Sequence, residues 1–450
     1  MTNIFDEARS TAVLAGPLVA AQLAQVGLGL GASTALGALG RNELAGGALG
    51  LACFSTALVI CGGLLSSVAT LGAEREAVGE RGGAAGFAAT GLLIGGVVSG
   101  FVVIGLLNAA TVFFAVGGDA AATSQMTGFL RSAAWGFPFA VGSVVLRNLA
   151  TAVGKTTAFA VYATSGAIMG TALAHAAARG ALGPQARGAP GVGAVVTAVH
   201  AIVFLAMAVH SVRAGWLEPA AFSCSRLRQR RSGIALVLRI GAPVAVLYGL
   251  ESGMFSVTTL WASALGVDAI VAHHVAVQSS YLTFMVPSGI GMATAARVGR
   301  AFSTLDRAAV VRAIGVGLCG AMLFMAATGG VFWAAPRWVV RLFFDVDAPA
   351  SAPAVVLASQ TLAAVAVFQI ADAVQGVTAG ALRGLRDTKI PMVLGVVSYW
   401  GVGVALAYCL GLRAGVGVAG LWWGLAAGLA AAAVALSVRL AAVVRRLERP

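Results

Sequence analysis

Residues 247–261 have the sequence LYGLESGMFSVTTLW, which places a single carboxylate, Glu251, among apolar and neutral polar residues. The surrounding apolar segment, residues 234–263, exceeds the roughly 20 residues that a helix needs to cross the hydrocarbon core of a bilayer. A carboxylate at the centre of such a helix costs on the order of 2.5–3.5 kcal/mol on insertion scales. This segment therefore predicts a membrane-spanning helix whose central carboxylate has a functional or structural role that offsets its insertion cost.

The composition extends this prediction to the whole chain. The protein has 450 residues, of which 59% are hydrophobic and only 10% are charged, whereas soluble domains carry about 25% charged residues. Long apolar segments recur from one end to the other, so we predict an all-α polytopic membrane protein with twelve transmembrane helices. The predicted spans are residues 12–36, 44–71, 87–107, 122–146, 156–178, 190–212, 234–263, 269–293, 308–334, 353–381, 391–411 and 415–438.

The formal net charge of the chain is +13, and the positions of its basic residues indicate how the chain is oriented in the membrane. With the N-terminus in the cytoplasm, 22 of the 29 Lys and Arg residues fall on the cytoplasmic side, as the positive-inside rule requires. We therefore expect a multi-pass protein of the bacterial cytoplasmic (inner) membrane with both termini cytoplasmic. The lipid bilayer is its expected surrounding, and this pattern argues against a nucleic-acid partner.

The two halves of the chain share an order of small residues and prolines. Pro17 is followed by Ala38-Leu39-Gly40, and Pro243 is followed at the same spacing by Ala264-Leu265-Gly266. Six spans per half give both halves the same orientation, which predicts a parallel repeat. We expect an N-terminal six-helix lobe at residues 1–217, a basic cytoplasmic linker at 218–233 and a C-terminal six-helix lobe at 234–450. The linker carries Arg226, Arg228, Arg230 and Arg231.

Of the 16 acidic residues, only Glu251 and Asp372 lie deep in predicted spans, on the seventh and tenth helices. Polar residues accompany them at helical spacing, so that each helix, and the eighth helix too, has a polar stripe along one side. Three such stripes facing one another would enclose a hydrated pocket. The supporting residues are Tyr248, Ser252, His274, Gln278, Tyr281, Gln369 and Gln375.

The two intramembrane carboxylates have a functional and a structural interpretation. Burial disfavours the charged form of a carboxylate, so such a group can take up a proton near neutral pH, and two close carboxylates can share a proton or hold Na⁺. Alternatively, each carboxylate only hydrogen-bonds a neighbouring helix. We favour cation coupling at Glu251 and Asp372 and expect no metal site beyond Na⁺ there. His273 and His274 are adjacent on a helix and point in different directions, which argues against a histidine metal site.

Three segments resemble the multidrug and toxic-compound extrusion family, in particular its bacterial sodium- or proton-coupled branch. They are GPLVAAQLAQVGLGLG (16–31), AHHVAVQSSYLTFMVPSGIGMATAARVG (272–299) and VFQIADAVQGVTAGALRGLRDT (367–388). The resemblance implies twelve helices in two lobes around a central cavity, which rock between outward- and inward-facing states. It also implies that Glu251 and Asp372 serve the coupling cation, and that Gln278 holds a place where the family often has a polar amide.

The chain departs from the family pattern in its first lobe. Members usually carry an Asp midway along the first helix, a place that falls at about Ala32 here. In the alignment of the two halves, Glu251 corresponds to Gln25, a neutral amide. We therefore expect no carboxylate cation site in the first lobe, which argues against a mechanism that protonates this lobe.

These observations favour a secondary antiporter that exports small organic compounds, cationic or amphipathic, in exchange for H⁺ or Na⁺. It would need no cofactor beyond the coupling ion, and we expect it to act as a monomer. A dedicated exporter of one natural product or siderophore, or a flippase of lipid-linked precursors, remains the alternative. An enzyme is not expected because the short loops hold no acidic cluster and no nucleotide-binding motif. A channel fits the repeated halves and discrete carboxylates less well than alternating access.

Overall fold

The computed structural model describes residues 4–80, 82–115, 119–181, 183, 188–217 and 231–447, and in this part of the chain all regular structure is helical. Twelve helices in it are long and apolar enough to cross a membrane, which confirms the predicted fold class. In the first half they are α1 (Ile4–Gly37), α2 (Arg41–Leu65, continued as Ser67–Ala77), α3 (Gly83–Ala115), α4 (Ala120–Ala133 and Phe137–Ala152), α5 (Thr157–Ala178) and α6 (Gly188–Arg213).

The second half has the same number of spanning helices. A short helix, Pro336–Val340, lies between the ninth and tenth. The spanning helices are α7 (Arg231–Ala264), α8 (Val267–Ser303), α9 (Arg307–Ala334), α10 (Ala352–Gly384), α11 (Lys389–Arg413) and α12 (Val418–Arg446).

The contacts within the chain divide it into two compact units. The N-terminal unit is Ala20–Ala245, and the C-terminal unit combines Met1–Val19 with Val246–Pro450. Pro17 lies inside α1 and Pro243 inside α7, so the paired prolines found in the sequence occupy the first helix of each half. Most of the predicted basic linker, residues 218–230, lies outside the described residues.

The N-terminal unit is held together by aromatic packing and by close approach of small residues. The Phe54 and Phe137 rings meet edge to face at 5.3 Å between centroids. The Asn148 side-chain amide donates to the Leu65 carbonyl at 2.9 Å, which joins α4 to α2. A methyl group added at Gly46 would collide with the α4 backbone at Ala122, so α2 and α4 pack as closely as small residues in membrane helices permit.

The C-terminal unit is organised around α10, which packs against α8, α9 and α12. Its Phe368 ring lies edge to face with Trp422 of α12 at 5.3 Å, and both side chains are buried. Because α10 is covered by three neighbours, the polar side chains on it are removed from the surface and need partners inside the unit. Asp372 lies on α10 and is therefore buried inside the C-terminal unit.

The helix α11 alternates between α-helical and π-helical winding. It begins as an α-helix, Lys389–Val396, continues as a π-helix over Val397–Val404, returns to α over Ala405–Tyr408 and ends as a π-helix over Cys409–Arg413. A π-turn holds more residues than an α-turn and therefore rotates the side chains that follow it, and such turns are frequent at functional sites. The first π segment carries Tyr399, which is completely buried.

Candidate functional site

Asp372 and Glu251, which the sequence singled out, belong to the same unit and interact electrostatically. Asp372 is only 3% exposed, and its Oδ1 atom is buried with no hydrogen-bond partner. Glu251 on α7 is partly buried. A buried carboxylate oxygen without a donor is costly unless a proton or a cation occupies it. The pair is therefore an arrangement that can bind a cation.

Gln375, one turn beyond Asp372 on α10, is buried and donates from Nε2 to the hydroxyl of Tyr399 at 2.6 Å. Tyr399 interacts electrostatically with both Glu251 and Asp372. Sequence reasoning missed this tyrosine. The available signal was weak, since Tyr399 is one of five tyrosines and its predicted span contains no Asp, Glu, His, Lys or Arg.

Gln369 lies on the other side of Asp372 along α10 and has a different role from Gln375. Its Nε2 donates to the Met325 carbonyl at 2.9 Å, and its Oε1 accepts from the Thr283 hydroxyl at 3.2 Å. The side chain is fully buried and bonded through both ends of its amide to α8 and α9. The structure therefore places both ends of the Gln369 amide in hydrogen bonds between helices.

The hydroxyl of Tyr248, one turn before Glu251, accepts a hydrogen bond from Arg383 Nη2 at 3.4 Å. Arg383 is only 6% exposed, so a buried cation contacts the residue that shares a helix face with Glu251. Ser252 is partly buried, and its backbone carbonyl accepts from the Ser256 hydroxyl at 3.0 Å. Arg383 was not among the site residues expected from the sequence.

The polar stripe expected on α8 is only partly internal. Gln278 is partly buried, His274 is exposed, and Tyr281 is 44% exposed. The buried imidazole is instead His273, at 1% exposure, with partners on α7 and α12. His274 and Tyr281 are thus not brought into the buried cluster around Asp372 in this structure.

Among the described residues, no group of three or more His, Cys, Asp and Glu side chains could hold a metal ion. The carboxylates of Glu251 and Asp372 remain as oxygen ligands of a kind that suits a small hard cation. This donor set fits Na⁺ or a proton better than a transition metal, which prefers imidazole and thiolate ligands.

A cavity of about 80 Å³ lies in the N-terminal unit, with an apolar wall and four polar residues, Gln25, Ser143, Arg147 and His200. No Asp or Glu is among the described residues that line it. Ala32, the position that the resemblance assigns to an Asp, is fully buried. The volume is below the roughly 300–1,000 Å³ of typical ligand pockets, so in this conformation the cavity does not enclose a drug-sized molecule.

Comparison with known proteins gives consistent similarities over nearly the whole chain. The MatE family model matches residues 17–175 and 243–409, one stretch in each half. A probable multidrug resistance protein NorM of Pseudomonas aeruginosa is 35% identical over 429 residues, covering 94% of this chain and 87% of that protein. The multidrug resistance protein NorM of Burkholderia vietnamiensis is 35% identical over 443 residues, covering 97% and 94%. The crystal structure of the eukaryotic MATE transporter AtDTX14 shares the fold, with a TM-score of 0.86 at 16% identity and coverage of 99% and 98%.

Proposed function

Because the chain belongs to the MatE family and has its twelve-helix membrane fold, we propose that it is a secondary active exporter. In this proposal, small organic compounds leave the cell in exchange for H⁺ or Na⁺ that enters, and the protein alternates between outward- and inward-facing states. Glu251 and Asp372 bind the coupling cation. The family consists of transporters, and the proposed activity requires no enzymatic step and no cofactor besides the coupling ion.

The observation that carries the proposal is the buried, unpartnered Oδ1 of Asp372 beside the second carboxylate, Glu251. If these groups only joined helices, their oxygens would be expected to accept hydrogen bonds from neighbouring helices, as the amide of Gln369 does. An unfilled acceptor in a dry environment instead favours a proton or cation that comes and goes. Such exchange is what coupling to an ion gradient requires.

The cargo is proposed to be organic, and cationic or amphipathic. The similar proteins from Pseudomonas aeruginosa and Burkholderia vietnamiensis are named for multidrug resistance. Acidic groups with aromatic neighbours suit lipophilic cations, because ring faces attract positive charge. Phe255 lies one turn after Glu251 and its ring is 6.1 Å from that of Trp422 between centroids.

The proposed setting is the cytoplasmic membrane of a bacterium, with both termini in the cytoplasm and the protein acting as a monomer. Orientation rests on the distribution of Lys and Arg in the sequence. The two lobes, residues 1–217 and 234–450, would be joined by the basic linker 218–233. A basic segment on the cytoplasmic side is favoured by the negatively charged lipids of the inner leaflet.

The proposal is tested by ethidium efflux from proteoliposomes under an imposed Na⁺ or H⁺ gradient. Wild type is compared with Glu251→Gln and Asp372→Asn, and the exposed Glu76→Gln serves as a matched charge-removal control. We expect gradient-driven efflux to be lost in Glu251→Gln and Asp372→Asn and retained in the control. The gradient that drives efflux by the wild type, Na⁺ or H⁺, identifies the coupling ion.

Efflux that survives both substitutions would refute the assignment of the carboxylates to coupling. A folded wild-type protein that moves no ethidium under either gradient would count against broad drug export. That outcome would favour a dedicated exporter of one compound.

A further inference from the structure

The π-helical segment Val397–Val404 of α11 connects to both helices that carry the intramembrane carboxylates. Tyr399 is bonded to Gln375 of α10, and its neighbour Trp400 donates from Nε1 to the Leu250 carbonyl of α7 at 3.1 Å. Leu250 directly precedes Glu251, and Gln375 lies one helical turn beyond Asp372. Two consecutive residues of α11 are therefore fixed within one turn of the two carboxylates.

The hydrogen-bond inventory of Tyr399 assigns a direction to its hydroxyl. An amide N–H can only donate, so the 2.6 Å contact with Gln375 Nε2 occupies the accepting side of the phenolic oxygen. The hydroxyl hydrogen must then point away from Gln375. In the described part of the chain, no acceptor is bonded to this hydrogen, although Tyr399 is completely buried.

The same buried cluster contains the complementary group. Asp372 Oδ1 is an acceptor with no donor, and Tyr399 has a donor hydrogen with no acceptor. The two side chains interact electrostatically. Leaving both a buried donor and a buried acceptor unsatisfied is unfavourable, so a small displacement of α11 or one bridging water would satisfy both groups at once.

We propose, on the basis of the proposed coupling function, that Tyr399 is the hydrogen-bond donor to Asp372 in the cation-free state. With its oxygen held by Gln375, the Tyr399 hydroxyl donates to the ionised Asp372, directly or through one water. A proton or Na⁺ arriving at the carboxylate displaces this hydrogen bond. Tyr399 thereby stabilises the empty, ionised site and promotes release of the coupling cation.

This role predicts a change in cation affinity whose direction distinguishes it from general damage. Tyr399→Phe removes only the hydroxyl, so the empty site loses a donor to a charged acceptor and cation binding becomes relatively more favourable. Hydrogen bonds to charged groups are strong enough for the half-saturating cation concentration to fall by about tenfold. A substitution that merely loosened the packing of α11 would weaken cation binding instead.

The experiment measures the concentration of the coupling cation that gives half-maximal ethidium efflux, together with direct cation binding by calorimetry on the purified full chain. Tyr408→Phe is the matched control, because Tyr408 lies on the same helix, is 40% exposed and stacks on Arg413. We expect a lowered half-saturating concentration for Tyr399→Phe and no change for Tyr408→Phe.

A second variant, Gln375→Leu, tests the orienting contact and keeps the proposal open to refutation if Tyr399→Phe does not fold. It frees the Tyr399 oxygen, so we expect the half-saturating concentration to fall in the same direction by a smaller factor. An unchanged or raised concentration in either folded variant would overturn the role of Tyr399. If Asp372→Asn abolishes coupling while Tyr399→Phe leaves cation affinity unchanged, this inference fails and the proposed function stands. If Glu251→Gln and Asp372→Asn leave both cation binding and ethidium efflux intact, the proposed function and the inference about Tyr399 both fail.

Discussion

Trp422 of α12 donates its indole N–H to Nδ1 of His273 on α8 across 3.2 Å. Because the indole can only donate, Nδ1 must be the accepting nitrogen, and the neutral imidazole carries its hydrogen on Nε2. His273 Nε2 donates this hydrogen to the Thr259 hydroxyl oxygen, 3.0 Å from Nε2, and the Thr259 hydroxyl in turn donates to the Phe255 carbonyl at 2.8 Å. One directed chain of hydrogen bonds thus joins α12, α8 and α7.

This chain predicts opposite outcomes for two adjacent histidines. His273→Ala leaves the buried Trp422 N–H without an acceptor, so we expect a loss of about 1–3 kcal/mol in the free energy of unfolding. His274→Ala alters an exposed side chain and is expected to stay within about 0.5 kcal/mol of wild type. Thermal unfolding in detergent followed by tryptophan fluorescence measures both. Equal effects of the two substitutions would contradict the chain.

An ion pair fixes the start of α1 in the C-terminal unit. Arg297 Nε lies 2.6 Å from Glu7 Oε1, and the Glu7 side chain is only 6% exposed. Glu7→Gln is expected to lower the free energy of unfolding by about 1–3 kcal/mol, because it leaves a partly buried guanidinium without its counter-charge.

A double-mutant cycle with Arg297→Gln is the control for that prediction. If the pair interacts directly, the double variant should lose less stability than the two single losses combined. Strict additivity in thermal unfolding would show that Glu7 and Arg297 contribute independently.

The contact between α11 and α12 depends on a glycine. A methyl group added at Gly424 would overlap the α11 backbone at Ala407, whereas one added at Gly330 on α9 would meet no atom within 4 Å. We expect Gly424→Ala to destabilise the protein by about 1–3 kcal/mol through overpacking. Gly330→Ala should be neutral or stabilising by up to about 1 kcal/mol, since alanine restricts the unfolded chain more than glycine does. A similar loss of unfolding free energy in both variants would indicate that the destabilisation comes from backbone propensity and not from the contact between α11 and α12.

The two amides that flank Asp372 are expected to differ in function. Gln369→Leu removes hydrogen bonds to Met325 and Thr283, so we expect a loss of about 1 kcal/mol in stability. The cation concentration for half-maximal ethidium efflux should stay as in wild type. A change in that concentration, measured in proteoliposomes, would place Gln369 in the coupling site after all.

The sequence was sufficient to predict the twelve spans and the two carboxylates inside them. A segment such as 234–263 has few alternatives in a bilayer, because every backbone N–H and C=O must be paired within the segment itself. That requirement is local, so length and apolar composition predict the helix. The isolation of Glu251 and Asp372 was equally visible, because charge is rare in such segments.

The partners of each polar side chain were decided by the tertiary structure. His273 and His274 are adjacent on α8, and the expected polar stripe placed His274 inside, whereas packing against Trp422 selects His273. Gln369 and Gln375 lie on one stripe, yet α8 and α9 surround the first and Tyr399 contacts the second. Tyr399 itself faces inward on a π-helical turn, whose extra residue shifts the 3.6-residue period on which sequence patterns rely. Helix formation follows from neighbours along the chain, whereas the composition of the site follows from contacts between residues far apart in it.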